Sequence, residues 1–115
     1  MPERSKTIAA TDSTDQTDYV DLLKVQVSPD SKGVSFLDLR IYPDTNGVYR
    51  VFIAGLPVMS EISPGTTFRI QWPHLTNGVY QGLKPRDVIL IQHRKGDGTS
   101  IKSTASLTLS EVVEW

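Results

Sequence analysis

The sequence predicts an all-β protein, a small antiparallel β-sandwich or barrel of about six to eight strands. Three observations support this fold class. A hairpin-like unit occurs twice, between residues 39 and 81. Apolar and polar residues alternate with a period of two in several segments, most regularly from Ile101 onward. No segment has the apolar spacing of a helix of about ten residues.

The repeated unit predicts two similar hairpins. Residues 39–50 read LRIYPDTNGVYR, and residues 68–81 read FRIQWPHLTNGVYQ. Each copy places Pro after an aromatic residue, which ends strand pairing, and then Asn-Gly, which tolerates the positive φ of a tight turn. Pairing Tyr42 with Val48 gives the first hairpin one apolar face. That face would be formed by Leu37, Leu39, Ile41, Tyr49, Val51 and Ile53.

The same register predicts a mixed basic and aromatic face on the other side of the first hairpin. Arg40 would lie opposite Arg50, and Arg69 holds the matching position in the second copy. The nearby aromatic side chains would be Phe36, Tyr42 and Phe52. Two interpretations are open: an anion-binding or base-stacking face, or a solvated face on which Asp38 neutralises part of the charge.

The other elements follow in chain order. Residues 1–18 are so poor in apolar side chains that we expect a polar N-terminal arm, disordered by itself, ahead of one β-domain at 19–115. A first strand is expected at about 20–28 and the first hairpin at 34–55. A short connection follows from Leu56 to Gly65, with Val58 and Met59 near the core.

The second half of the chain continues the pattern. The second hairpin is expected to use 66–72 and 79–82, followed by a turn at 84–87. Residues 88–91 are all apolar, which predicts a central strand covered on both faces. From Ile101 the alternation predicts a strand with one wet face, and Ser110 could instead cap a final helical turn.

Composition limits the classes of function. The chain has 115 residues, no cysteine and a net charge of −1, so we expect one domain without disulfide or thiol chemistry. A nucleic-acid-binding domain is usually distinctly basic, and this one is nearly neutral. Neither an apolar span of about 20 residues nor the core of a signal peptide is present. The expected location is therefore the cytoplasm or an assembled particle, with no membrane partner.

The sequence indicates no catalytic, metal or cofactor site. Its two histidines, His74 and His93, have no carboxylate at ligand spacing, and a zinc site would need more donors. A phosphate-binding loop, a nucleophile elbow and a pair of carboxylates are all absent as motifs. We therefore predict a protein that is not an enzyme and holds no cofactor.

The aromatic residues at the hairpin loops have two interpretations. Tyr42 and Trp72 each precede a Pro at the loop entrance. They could pack the base of the loop against the core, or the two tips could present Tyr42, Trp72 and His74 to a partner, since aromatic residues dominate interface energetics. A sugar-binding platform at Trp72 is a smaller branch of the second interpretation.

Two hypotheses for function follow. The first is a non-enzymatic assembly module, such as an accessory or cementing protein of a virus-like particle, which contacts neighbouring protein chains in a homo- or hetero-oligomer through its arm and hairpin loops. The alternative is a domain that binds single-stranded nucleic acid on the Arg/aromatic face. The candidate interaction residues are Phe36, Arg40, Tyr42, Arg50, Phe52, Arg69, Trp72 and His74.

Overall fold

The chain folds into a β-sandwich, which confirms the predicted fold class. The computed structural model describes residues 3–63, 66–72, 83–96 and 99–112, and these ranges contain strands and no helix. The eight strands are β1 (Glu3–Thr14), β2 (Val20–Gln26), β3 (Gly33–Tyr42), β4 (Gly47–Ile53), β5 (Leu56–Ile62), β6 (Phe68–Trp72), β7 (Val88–Lys95) and β8 (Ile101–Val112). They form two antiparallel sheets with the orders β1-β8-β3-β6, here called sheet A, and β2-β7-β4-β5, here called sheet B.

The core lies between the sheets and is built by alternation. Every second side chain of β8, from Ile101 to Leu109, is buried, and those between are exposed or half-buried, as the sequence predicted. The predicted apolar face is also confirmed, because all six of its residues are buried. Those residues are Leu37, Leu39, Ile41, Tyr49, Val51 and Ile53.

The pairing proposed for the first hairpin is wrong. β3 pairs with β8 and β6 in sheet A, whereas β4 pairs with β7 and β5 in sheet B. The apolar sides of β3 and β4 therefore meet across the core instead of lying side by side in one sheet. Alternation reveals which side of a strand is buried, and it gives the same pattern for both arrangements.

The loop at 43–46 carries the chain from one sheet to the other. The Asp44 carboxylate accepts hydrogen bonds from the backbone N–H groups of Asn46 (3.0 Å) and Lys102 (3.1 Å), which tie the loop to the start of β8. The Tyr49 hydroxyl accepts a bond from the Asp44 N–H and also bonds to Ser103 in sheet A. A Cβ at position 47 would overlap the Tyr49 ring, so the glycine there provides space and not positive φ.

A tight hairpin joins β4 to β5 at the end of the segment predicted as the first hairpin, and β5 itself lies in the segment predicted as a connection. Residues 56–62 form β5, which pairs with β4 through a two-residue turn at Ala54 and Gly55. Both turn residues have positive φ, 53° and 82°, as a type I′ hairpin requires. Met59 is buried, as expected, whereas Val58 is exposed because it lies on the other side of the strand.

The two copies of the repeat meet in sheet A. β6 of the second copy runs antiparallel to β3 of the first, so that Leu39 faces Ile70 and Arg40 faces Arg69. The return strand proposed at 79–82 lies outside the described residues. Arg40 and Arg69 are equivalent residues of the two copies, and this pairing places them directly opposite each other.

The polar segment at the N-terminus forms a strand of the sandwich and does not extend as a free arm. β1 pairs with β8 along its whole length, from Glu3 opposite Val112 to Thr14 opposite Ile101. Its inward side chains Ile8 and Ala10 pack against the core, and its other side is polar. Alternation in this segment was obscured because its apolar residues are few. A division of the chain at residue 18 stays a prediction.

β7 and β8 are both inner strands of their sheets, and β8 runs to Val112 without a helical turn. The outer side of β7, with Val88 and Leu90, is half-buried and not fully covered as predicted. In the described ranges, no helix has the length and apolar character needed to cross a membrane.

Candidate interaction surface

Four of the predicted interaction residues lie together on the outer face of sheet A. We define the Arg–aromatic patch as Phe36, Asp38, Arg40, Tyr42 and Arg69. β3 supplies the first four at every second position, and β6 supplies Arg69 directly opposite Arg40. Phe36 and Tyr42 are exposed, with 37% and 42% of their surface accessible. Large aromatic side chains that remain this exposed on the face of a sheet are available to a partner.

Asp38 holds the two arginines of the patch in place. Arg69 donates two hydrogen bonds to it, Nε to Oδ1 at 2.9 Å and Nη2 to Oδ2 at 3.0 Å, and Arg40 donates one at 3.3 Å. The hydrogen bond from Arg69 holds the pKa of Asp38 below its ordinary value. The carboxylate therefore stays charged near neutral pH and offsets the repulsion between two arginines that lie directly opposite each other.

Arg50 and Phe52 lie on the opposite side of the molecule, so the single Arg/aromatic face predicted from the sequence is wrong. Both belong to β4 and point outward from sheet B. Arg50 donates from Nε to Oε1 of Gln92 at 2.7 Å, and its guanidinium lies 3.9 Å above the ring of Tyr19. Arg50 is thus held by an aromatic ring and an amide.

The other two candidates are only partly described. Trp72 ends β6, where its backbone faces Leu37. His74 lies outside the described residues, as does the second loop of the repeat. Their roles in presenting a tip to a partner stay predictions.

Beside the patch, sheet A carries a ladder of hydroxyl groups that was not anticipated. Its side chains are paired across β1 and β8, and the three pairs are Ser5 with Ser110 (2.7 Å), Thr7 with Thr108 (3.0 Å) and Thr11 with Thr104 (2.9 Å). Each hydroxyl bonds to its cross-strand neighbour, which stabilises the pairing of the two strands. The alternating Ser/Thr of both segments was the available signal.

A buried carboxylate, Glu111, ties β8 to the loop after β2 and was also missed. Its side chain is fully buried and accepts hydrogen bonds from the Ser28 backbone N–H (2.7 Å), the Ser28 hydroxyl (3.0 Å) and Arg4 (3.1 Å). Lys6 lies 3.9 Å away. Burial alone would raise the pKa of Glu111, but these donors outweigh it and the pKa lies below its ordinary value.

His93 is another buried polar residue, and it joins the two sheets. Its Nε2 lies 2.7 Å from Oδ2 of Asp12, which comes from β1 of the other sheet. Its Nδ1 is buried with no partner among the described residues. Across the residues that the structure describes, no group of three His, Asp or Glu side chains lies close enough together to hold a metal ion.

Comparisons with known proteins give only distant similarity. The sequence matches no protein-family model and no curated protein sequence. A structure of the infectious bursal disease virus Gx strain aligns with 95% of this chain at a TM-score of 0.49 and 16% identity. The VP2 subviral particle of infectious bursal disease virus aligns with 97% of this chain at a TM-score of 0.40 and 15% identity. A de novo designed double-stranded β-helix aligns with 93% of it at a TM-score of 0.35 and 13% identity.

This chain spans 32% and 38% of the length of the two viral chains and 99% of the designed one. With TM-scores below 0.5, these similarities assign neither a function nor a partner to this protein.

Proposed function

We propose that this chain is a non-enzymatic assembly module that binds neighbouring protein chains. The observation that carries the proposal is the Arg–aromatic patch on sheet A. Aromatic residues and arginine are the side chains most enriched in the cores of protein interfaces. Here Phe36 and Tyr42 are open while the arginines between them are already fixed by Asp38. A partner would bind side chains that have little freedom left to lose.

The charge of the patch favours a protein partner over a nucleic acid. Asp38 offsets one of the two arginines, which leaves a single net positive charge between the aromatic rings. Binding to a nucleic-acid strand draws on several cations along one groove. The other arginine required by that alternative, Arg50, lies on sheet B and stacks on Tyr19. A protein surface with an acidic side chain and an apolar pocket fits the patch better.

The setting we propose is a particle shell, in which the chain is an accessory or cementing protein of a virus-like particle. The support is the build of the domain: a small sandwich with a broad, polar outer face, an exposed patch and a long edge strand. Such a domain can add to a larger assembly without rearranging its own core. Contacts through the loop at 43–46, and through the loop of the second copy outside the described residues, belong to the same proposal.

Sedimentation velocity over a range of concentrations tests the proposal. We expect the purified chain to form species larger than a dimer, and Phe36→Ser combined with Tyr42→Ser to abolish them. Leu56→Ser is the matched control, because Leu56 is 68% exposed on the edge strand of sheet B and its loss should leave assembly unchanged. Point variants suit this test better than a deletion of the N-terminal segment, because such a deletion would remove β1 from sheet A.

A chain that neither self-associates at any concentration nor binds a larger assembly contradicts the proposal, as does a patch variant that assembles like the wild type. Titration with a single-stranded oligonucleotide at two salt concentrations separates the alternative. Binding that appears at low salt and weakens as salt rises would favour a nucleic-acid partner.

A further inference from the structure

β1 is an edge strand with an open side. In the described part of the chain it is hydrogen-bonded only to β8, and its 12 residues make it one of the two longest strands. Along its other side, alternate residues direct backbone N–H and C=O groups away from the sheet. An edge of this length is a template for the addition of another strand.

The sequence of β1 is complementary to itself when it is reversed about Ala9. Residues 5–13 read Ser-Lys-Thr-Ile-Ala-Ala-Thr-Asp-Ser. In an antiparallel pair of two such strands, each residue faces one of the same class or of opposite charge. The facing pairs are Ser5 with Ser13, Lys6 with Asp12, Thr7 with Thr11, Ile8 with Ala10, and Ala9 with itself.

We propose that β1 pairs with β1 of a second copy of this chain, antiparallel and about a two-fold axis at Ala9, so that two copies of sheet A form one continuous sheet. This deepens the proposed assembly role, on which it rests, by naming one partner and its register. The nine facing pairs would exchange about 8 to 10 backbone hydrogen bonds, because bonded and non-bonded pairs alternate in an antiparallel ladder.

The side chains of β1 suit this partner on both faces. On the inner face, Ile8 and Ala10 are only partly buried and would be covered by their counterparts. The Lys6 and Asp12 side chains are 31% and 43% exposed, so each can reach the opposite charge of the second copy. The two-fold axis makes this ion pair twice. On the outer face, the hydroxyl ladder would extend across the junction.

Competing registers fit less well. A shift that moves the axis between two residues would place inner side chains against outer ones, which a continuous sheet forbids. An axis at Ile8 keeps the faces but sets Lys6 against Ala10 and brings Arg4 to Asp12. Arg4 is already bound to Asp30 at 3.0 Å and to Glu111 at 3.1 Å. The axis at Ala9 leaves both contacts of Arg4 intact, and Asp12 bonds to His93 through Oδ2, which leaves its Oδ1 for Lys6 of the second copy.

Single cysteines test the register, because the chain has none of its own. Under mild oxidation we expect Ala9→Cys to form a covalent dimer, since directly opposed residues lie about 4.5–5.5 Å apart at Cα, within disulfide range. Thr7→Cys alone and Thr11→Cys alone should stay monomeric, because each would be about 13 Å from its own copy. An equimolar mixture of the two should form a mixed dimer.

Ser106→Cys is the matched control. Ser106 lies beside Ala9 on the outer face of β8, one strand inward. Its copy would be about 14 Å away, three strand spacings across the junction, so it should not cross-link. All variants change outward side chains, and a thermal melt of each reduced protein confirms that it is folded.

The outcomes separate this inference from the proposed function. An Ala9→Cys variant that remains monomeric, or that links no faster than Ser106→Cys, overturns the inference, and patch-dependent assembly can still be seen by sedimentation. Cross-linking of Thr7→Cys by itself, or of a Thr7→Cys and Ala9→Cys mixture in preference to Ala9→Cys, overturns the register. A dimer with this register and no larger species supports the inference and contradicts the role of the Arg–aromatic patch in assembly.

Discussion

Two carboxylates in this sandwich each bind two basic side chains, yet they lie at different depths. Glu111 is fully buried and joins β8 to Ser28, with Arg4 and Lys6 at its outer side. Asp38 lies on the outer face of sheet A between Arg40 and Arg69, which are 41% and 47% exposed. The first removes charge from water in order to hold elements together. The second arranges charge at the surface, where a partner can reach it.

Replacement of Glu111 should produce the largest effect. Glu111→Gln leaves the buried Ser28 donors facing an amide that can accept only through one oxygen. We expect a loss of about 2 kcal/mol in the free energy of unfolding, measured by chemical denaturation at pH 7. Glu61→Gln is the control, since Glu61 is 61% exposed and pairs with Arg94 at the surface. Equal losses in the two variants would show that depth does not distinguish these carboxylates.

The stability of the wild type should fall with acid, and Glu111 should contribute to the fall. Its pKa is below the ordinary value of 4.5 in the folded protein, so the folded state binds fewer protons than the unfolded state. This stabilisation is complete above about pH 5 and is lost as pH falls through the folded pKa. Denaturation measured from about pH 6 to pH 3 should therefore give a shallower slope for Glu111→Gln than for the wild type. Parallel slopes would assign the acid sensitivity to other carboxylates.

Arg50 sharpens the comparison because it is held without a carboxylate. The hairpin register predicted from the sequence would make Arg50→Thr neutral or slightly stabilising, since it would relieve repulsion with Arg40. In the structure the change removes the contact with Tyr19 and the hydrogen bond to Gln92. We expect a loss of about 1 kcal/mol in the free energy of unfolding. Arg40→Thr should change it by less than about 0.5 kcal/mol, and a reversal of this order would favour the hairpin register.

Of the three replacements Glu111→Gln, Arg50→Thr and Asp38→Asn, the last should cost the least stability. It leaves Arg40 opposite Arg69 with no carboxylate between them, at a cost of about 0.5 kcal/mol. Because the repulsion is exposed to solvent, the cost should shrink when unfolding is repeated at high salt. A loss as large as that of Glu111→Gln, insensitive to salt, would mean that the patch is structural and not a surface held ready for a partner.

Much of the fold could be predicted from local pattern, while the pairing of strands could not. Alternation identified the buried sides of β3, β4 and β8, because burial depends on the residues of one strand. It did not reveal that β3 and β4 belong to different sheets, because a strand looks the same whether its neighbour lies beside it or across the core. The turn at Ala54 was missed for a related reason: alanine rarely adopts positive φ, and the surrounding pairing imposes it there.

The candidate surface was half predictable for the same reason. Phe36, Arg40 and Tyr42 share a face because even numbers of residues separate them along one strand. Arg69 joins them because β6 pairs with β3, and the repeat showed only that Arg69 is the counterpart of Arg40. Arg50 was assigned to that face only through the pairing that proved wrong. Asp12 and His93 are 81 residues apart in the sequence, so local sequence carries no signal for their contact.

The pairing of β1 with β8 also sets when the sandwich can be completed. Glu3 faces Val112, so the first strand finds its partner only after almost every other described residue has been made. Contacts between residues this distant in sequence are slow to form, because the entropy of closing a long loop is lost before any stabilising hydrogen bond has formed. A chain still emerging from the ribosome would have all four strands of sheet B, while sheet A would still lack β8, the strand between β1 and β3. We expect refolding to be slow for a domain of this size, with protection of β1 amides from hydrogen exchange appearing last.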